Sequence, residues 1–303
     1  MAEFKTPKNR LLFLICFLWL AVSCNPTQVN ETKIFKCGQR NKEGLISNPT
    51  APLIGESNFG EFPWTIDISK DNKVFCVGSL IHPKVVLSAA QCFLRQPHKE
   101  LIKLRAGIWD REDNNERYPY QERSIEKTIT HPAEDPRQYS YDIALVIVNE
   151  PFIVADHINT ICLPPANYET PNGTISYATG WGRKLLFGEY IHTSERMKRV
   201  TLTTLNMEIC ERELNTQLHR TAMCAVGLNG LNGIDTCLGD GGGPLVSRIK
   251  EDEEIYHQIG ITSFGRTCFS GIPGGYTNVA YLREWIDSQM KENGLEISTY
   301  LHE

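Results

Sequence analysis

Ten cysteines and eight histidines are among the residues of this 303-residue chain that could attack a carbonyl, carry a proton or hold a metal. A zinc site wants such ligands in pairs at close spacing. There is no CxxC, and no two histidines lie three to five residues apart, so neither a metal nor another cofactor is expected. His82, His98, His131 and His157 each stand alone, as surface or core imidazoles do. Cys16 lies inside an N-terminal apolar run. Removing residues 1–24 leaves Cys37, Cys76, Cys92, Cys162, Cys210, Cys224, Cys237 and Cys268. An even set of eight in an exported chain implies disulfides, with 105 connectivities open to sequence alone. Asn30-Glu31-Thr32 and Asn172-Gly173-Thr174 are glycosylation sequons, whereas Asn25 and Asn48 precede proline and are not.

The elements that must position these residues begin after a targeting segment. Lys5, Lys8 and Arg10 precede the apolar Leu11–Val22, and Ala21-Val22-Ser23-Cys24 offers small residues for cleavage, so residues 1–24 read as a signal peptide. The apolar run is shorter than the roughly 20 residues a membrane span needs, and no later run exceeds it, so secretion without a span is expected. Residues 25–50 are rich in Asn, Pro, Gly and Thr and read as an extended leader around Cys37. Short strand-like runs then recur between turns of Gly, Pro or Asn: Trp64–Ser69, Val74–Ile81, Val85–Ser88, Leu101–Arg105, Ile143–Val148, Ala178–Trp181, Arg199–Leu205, Leu245–Arg248, Gln258–Ser263 and Tyr276–Val279. That is the pattern of an all-β barrel or sandwich. Two segments have helical spacing, Met207–Leu214 and Tyr281–Lys291, the second capped by Gly294. Hydrophobic residues make up 41% and charged residues 22%, an ordinary globular balance. The net charge of −5, with no Lys/Arg run, argues against a nucleic-acid partner.

Several motifs in one order carry a resemblance. They are Gly60-Glu61-Phe62-Pro63-Trp64, Leu87-Ser88-Ala89-Ala90-Gln91-Cys92, Asp142-Ile143-Ala144-Leu145, Cys162-Leu163-Pro164, Thr179-Gly180-Trp181-Gly182, Asp235-Thr236-Cys237-Leu238-Gly239-Asp240-Gly241-Gly242-Gly243-Pro244 and Ser263-Phe264-Gly265. Together they resemble the chymotrypsin-type serine proteases (peptidase family S1) over about residues 51–292, leaving 293–303 as a C-terminal tail. The resemblance implies two six-stranded antiparallel β-barrels, an active site between them and a C-terminal helix.

It also implies a damaged triad. In that family a serine attacks, a histidine takes its proton and an aspartate orients the histidine. The serine position here is Gly241, which has no side chain, and the histidine position is Gln91, whose amide does not accept a proton near neutral pH. Only Asp142 remains, and the Gln91 amide is a candidate donor to it. Loss of the serine or histidine costs about 10⁶ in turnover, so an inactive homologue is expected.

Active members also pair the aspartate before the nucleophile with an amino terminus freed by cleavage. No Arg or Lys lies between Lys42 and Lys70, and no Ile-Val-Gly-Gly is present, so Asp240 is expected to lack its cation and remain zymogen-like. Asp235, Gly265 and Gly274 match the acid and the small walls of the family's Arg/Lys pocket, while Gly239 and Asp240 match the oxyanion loop. The implied disulfides are Cys76–Cys92, Cys210–Cys224, Cys237–Cys268 and Cys37–Cys162, the last tethering a leader expected to make few core contacts. Ser176 and Ser247 stand at both ends of a further family bridge, which is therefore absent as a pair. Gln39-Arg40-Asn41-Lys42-Glu43-Gly44 after Cys37, followed by Gly60-Glu61-Phe62-Pro63-Trp64, resembles the serine protease homologues of arthropod haemolymph, such as masquerade-type proteins and prophenoloxidase-activating cofactors. The 12 residues between the signal and Cys37 leave no room for their clip domain. The expected role is binding to a protease, zymogen or inhibitor of an extracellular cascade, as in innate immunity. The alternatives are an active trypsin-like endopeptidase and a surface or matrix recognition protein.

Overall fold

The computed structural model describes residues 35–46, 55–94, 96, 98–113, 118–186, 189–191, 194–228, 240–265 and 271–302. The signal segment, Asn30, Asp235, Cys237, Gly239 and Cys268 lie outside the described residues.

Six strands close the first barrel: β1 (Thr65–Lys70), β2 (Lys73–His82), β3 (Val85–Ser88), β4 (Ile102–Ala106), β5 (Gln121–Thr130) and β6 (Ala144–Val148), in the order β1-β2-β3-β6-β5-β4. The second contains β7 (Ile175–Gly180), β10 (Lys198–Leu205), β11 (Ala222–Gly227), β12 (Pro244–Arg248), β13 (Tyr256–Phe264) and β14 (Gly274–Asn278), closed as β10-β11-β14-β13-β12-β7. A small hairpin of β8 (Lys184–Leu186) and β9 (Glu189–Ile191) stands apart. Every named pairing within the barrels is antiparallel. Among the described residues the α-helices are α1 (Gln91–Leu94), α2 (Met207–Leu214) and the C-terminal α3 (Arg283–Glu292).

The packing follows from the strand period. Ile66 and Ile68 of β1, Val77 and Leu80 of β2, and Ile102 and Leu104 of β4 are fully buried in one apolar cluster. Side chains of this size stabilise by roughly 1.5–3 kcal/mol each when buried. The same cluster takes in Ile286 and Met290 of α3 and Tyr300 beyond it. Val200, Leu202, Ala225, Leu245, Ile259 and Tyr276 fill the second barrel. In β10 the burial alternates along the whole strand, which puts Lys198 on the same inward side as Val200 and Leu202.

The two barrels are joined by polar contacts as well as apolar ones. The Thr65 and Thr179 hydroxyls lie 2.8 Å apart, and Ser79 Oγ donates to Gln258 Oε1 at 2.5 Å. The leader is held far more firmly than a loose tether. Cys37 is bonded to Cys162, Gly38 pairs with Thr160 and Tyr256 through the backbone, and Gln39 bridges Ile255. Arg40 is buried, paired with Glu61 and stacked within 5.0 Å of Phe62 and 4.7 Å of Tyr177. The expectation of few core contacts is thus corrected, because a guanidinium in that position needs the full set of partners to be buried. Residues beyond α3 are also packed: the Leu163 amide donates to Tyr300 O, and the Tyr300 hydroxyl donates to Asp287 Oδ1 at 2.8 Å.

Candidate functional site

Gln91, Asp142 and Gly241 are brought together where the two barrels face each other. Gln91 opens α1, directly after β3 and the buried Ala89 and Ala90, and the Cys76–Cys92 disulfide fixes the helix to β2. Asp142 precedes β6, with its own carbonyl accepting from Thr277 Oγ1 at 2.8 Å. Gly241 lies in the turn before β12, its carbonyl accepting from the Val77 amide at 2.8 Å.

The Asp142 carboxylate is buried and saturated with donors. The Gln91 backbone amide reaches Oδ1 at 2.9 Å, Gln91 Nε2 reaches Oδ2 at 2.8 Å, and Ser263 Oγ reaches Oδ2 at 2.6 Å. Burial pushes the Asp142 carboxyl up from its ordinary range, and the Ser263 and Gln91 hydrogen bonds oppose that rise. Gln91 Nε2 also donates to Ser263 O at 2.6 Å. Both neighbours of that nitrogen are acceptors, which fixes the orientation of the amide. Both Nε2 hydrogens are committed, so the polar atom left over is Oε1, a neutral carbonyl oxygen.

Gly241 is empty where a nucleophile would stand. A Cβ added there would meet only Cys76 Sγ, at 3.9 Å, so the backbone admits a side chain that the sequence does not supply. Its neighbour is different: Gly242 has φ of 80°, and a Cβ there would lie 2.5 Å from Val77 O. The turn is pinned by Gly242 N–H to Thr262 O at 2.7 Å and Gly243 N–H to Asp240 O at 3.0 Å.

Asp240 has a cation. Lys198 Nζ lies 2.5 Å from Asp240 Oδ2, with both side chains almost wholly buried, and donates to Arg183 O at 3.0 Å. Gly182 N–H donates to Asp240 Oδ1 at 2.7 Å. A Cβ on Gly182 would sit 2.5 Å from Asp240 Cγ, so glycine is what lets the carboxylate enter. The expectation that Asp240 lacks its partner is therefore corrected. Removing one member of a buried pair typically costs 3–5 kcal/mol. Nothing in the motif comparison marked Lys198. The available signal was its parity, a lysine in phase with the inward residues of an alternating strand.

Of the pocket positions, Gly265 is exposed, with nothing within 4 Å of an added Cβ, and Gly274 is half-buried beside Tyr276. Phe264, between these and Ser263, carries the Tyr139 ring stacked on it at 4.2 Å between centroids. A polar hollow on the first barrel, lined by Asn72, Arg105, Arg111 and Glu195 among others, is a separate place. Its arginines are already engaged by Glu122, Asp67 and Asn72. Among the described residues no His, Cys, Asp or Glu cluster could hold a metal ion, and no helix is long and apolar enough to cross a membrane.

Cys37–Cys162, Cys76–Cys92 and Cys210–Cys224 are formed, while Cys237 and Cys268 fall outside the described residues. Ser176 and Ser247 are direct partners across β7 and β12. Asn172 is exposed on a turn, its Oδ1 accepting from the Asn206 amide at 2.9 Å.

The family described as Trypsin matches residues 55–286. Phenoloxidase-activating factor 2 of Galleria mellonella is 34% identical over 298 residues, covering 91% of this chain and 96% of that protein. CLIP domain-containing serine protease B4 of Anopheles gambiae is 34% identical, covering 84% of this chain and 78% of its own length. Among solved structures, human heparin binding protein superimposes with a TM-score of 0.66 at 26% identity, covering 80% of this chain and 97% of that one.

Proposed function

The chain belongs to the trypsin family, and we propose that within it the protein is a secreted, non-catalytic member that acts by binding. Its partner is a protease, zymogen or inhibitor of an extracellular cascade. The observation that carries this reading is the pair of substitutions at the site centre. Gly241 offers no nucleophile, and Gln91 spends its amide hydrogens on Asp142 and Ser263, leaving no group that can take a proton. The triad mechanism needs both functions. What persists is the scaffold around the cleft, with Asp142, Asp240 and the glycine turn all held by hydrogen bonds.

The choice of an immune cascade leans on similarity to phenoloxidase-activating factor 2, whose name describes what that protein does. A secreted setting is supported by residues 1–24 and by three disulfides, and exposed Asn172 is the proposed glycan acceptor. Asp235, in the sequence position of the family's basic-side-chain pocket, together with Gly265 and Gly274, is the proposed contact for an Arg or Lys of the partner.

The test is chemical labelling of the secreted protein with a fluorophosphonate probe, which bonds to activated serines. No labelling is expected, and stoichiometric labelling in the cleft would overturn the non-catalytic reading. Pull-down from the extracellular fluid of the source, followed by mass spectrometry, then distinguishes partners. A protease or inhibitor is expected, whereas recovery of matrix or cell-surface polysaccharide alone would replace the cascade reading.

A further inference from the structure

Residues 240–243 lie in the turn before β12, and in the family this turn is assembled when cleavage frees an ammonium for the aspartate. Here that ammonium is already inside the chain. Lys198 opens β10, and its backbone forms an isolated bridge with Glu56. Ser57 N–H donates to Met197 O at 2.9 Å and Arg199 N–H to Gly55 O at 2.8 Å. The stretch just after the family's cleavage position therefore lies along the strand that carries Lys198. From that strand the side chain reaches Asp240 Oδ2 at 2.5 Å and caps Arg183 O at 3.0 Å. Gly182 satisfies the other carboxylate oxygen. The pair is buried, and both oxygens of the Asp240 carboxylate are engaged.

We infer that Lys198 is the positioning residue of the cleft: its ammonium does internally what a cleavage-freed amino terminus does elsewhere, so the cleft is ready for its partner in the uncut chain. This rests on the binding reading above and adds its regulation, since partner binding does not wait for proteolysis of this chain. The absence of Arg or Lys between Lys42 and Lys70 fits a chain that is not cut there by a trypsin-like enzyme. Gly241 admits a side chain without clash, so the readiness of the turn can be read by restoring chemistry to it.

The experiment uses the full secreted chain, uncut, carrying Gln91→His and Gly241→Ser, with fluorophosphonate labelling as the readout. The introduced hydroxyl bonds to phosphorus, fluoride leaves, and the proton passes to the introduced imidazole. Labelling of the uncut revertant is expected. Adding Lys198→Met should lower the labelling rate at least about 100-fold, the cost of one lost oxyanion donor, while the thermal transition shows the protein still folded. Where Lys198→Met does not fold, Lys198→Met with Asp240→Asn removes both charges, and that folded protein should also fail to label. A revertant that labels only after Arg-Ile-Val-Gly-Gly is grafted over residues 50–54 and cut would overturn the inference. So would a folded Lys198 variant that labels at the revertant's rate. Labelling of the unmutated protein is a separate outcome, because it strikes the non-catalytic reading and leaves the role of Lys198 standing.

Discussion

At position 91 an imidazole and a carboxamide can both donate to Asp142, but only the imidazole has a second nitrogen that accepts a proton. The structure uses Gln91 for the first job alone, through donors at 2.9 and 2.8 Å. A second residue shows how burial decides protonation. His257 is buried with Nε2 3.0 Å from Ser247 Oγ, and burial, aided by the charge of His302, lowers its pKa to about 4. The unfolded chain takes a proton on this imidazole near pH 6.5, and the folded protein does so only near pH 4. Folding stability from His257 is thus fully present above pH 6.5 and declines as pH falls toward 4, by up to about 3 kcal/mol. Asp142 works the other way, its raised carboxyl favouring the folded state as pH falls. The clean measurement is therefore the difference in urea unfolding free energy between the wild type and His257→Gln at pH 7.5 and pH 4.5. That difference should shrink or reverse at the lower pH, and an unchanged difference would show that His257 is protonated equally in both states.

Ser176 and Ser247 face each other across β7 and β12, and directly opposed antiparallel residues lie about 4.5–5.5 Å apart at Cα, within disulfide range. Ser176→Cys with Ser247→Cys should close a bridge under oxidising conditions and raise the unfolding midpoint. The entropic limit for so long a loop is about 4 kcal/mol, and the lost Ser247–His257 hydrogen bond will reduce it. Non-reducing peptide mapping checks the bond, and free thiols at both positions would mean the strands are not in this register. Strand parity also explains what the sequence did and did not disclose. Most barrel strands were legible from apolar runs, and α3 from its helical spacing, with Gly294 at φ 69° just past its end. The strand β5 was not, because Ile125 and Ile129 are the only apolar residues of Gln-Glu-Arg-Ser-Ile-Glu-Lys-Thr-Ile-Thr, both only half-buried, and the rest reads as polar loop. The short β11, Ala-Met-Cys-Ala-Val-Gly, lacked the β-branched and aromatic density of its neighbours. Of the site, Gln91, Asp142 and Gly241 were legible because motifs fix their places. The cation of Asp240 was not, since it comes from a strand 42 residues away and belongs to no motif.

At the scale of the molecule, Arg40 joins the leader to both barrels. Its guanidinium meets Glu61 near β1 and Tyr256 of β13, at 2.9 Å to the Tyr256 hydroxyl. Replacing it with methionine keeps much of the apolar volume but leaves buried Glu61 dependent on Arg199, 2.7 Å away, and on the Asn58 amide. Arg40→Met should cost about 2–3 kcal/mol, below the 3–5 typical of an orphaned buried charge because Arg199 remains. Denaturant titration measures it, and the loss should fall sharply when Glu61→Gln is present as well. An undiminished loss would place the contribution of Arg40 in its stacking rather than its charge. Cys37 is covalently joined to Cys162, while the chain between residues 46 and 55 leads from the leader to the first barrel. A peptide bond severed there would liberate no fragment. The particle would keep its sedimentation and its single band in electrophoresis, and only a reductant would reveal that it had become two polypeptides.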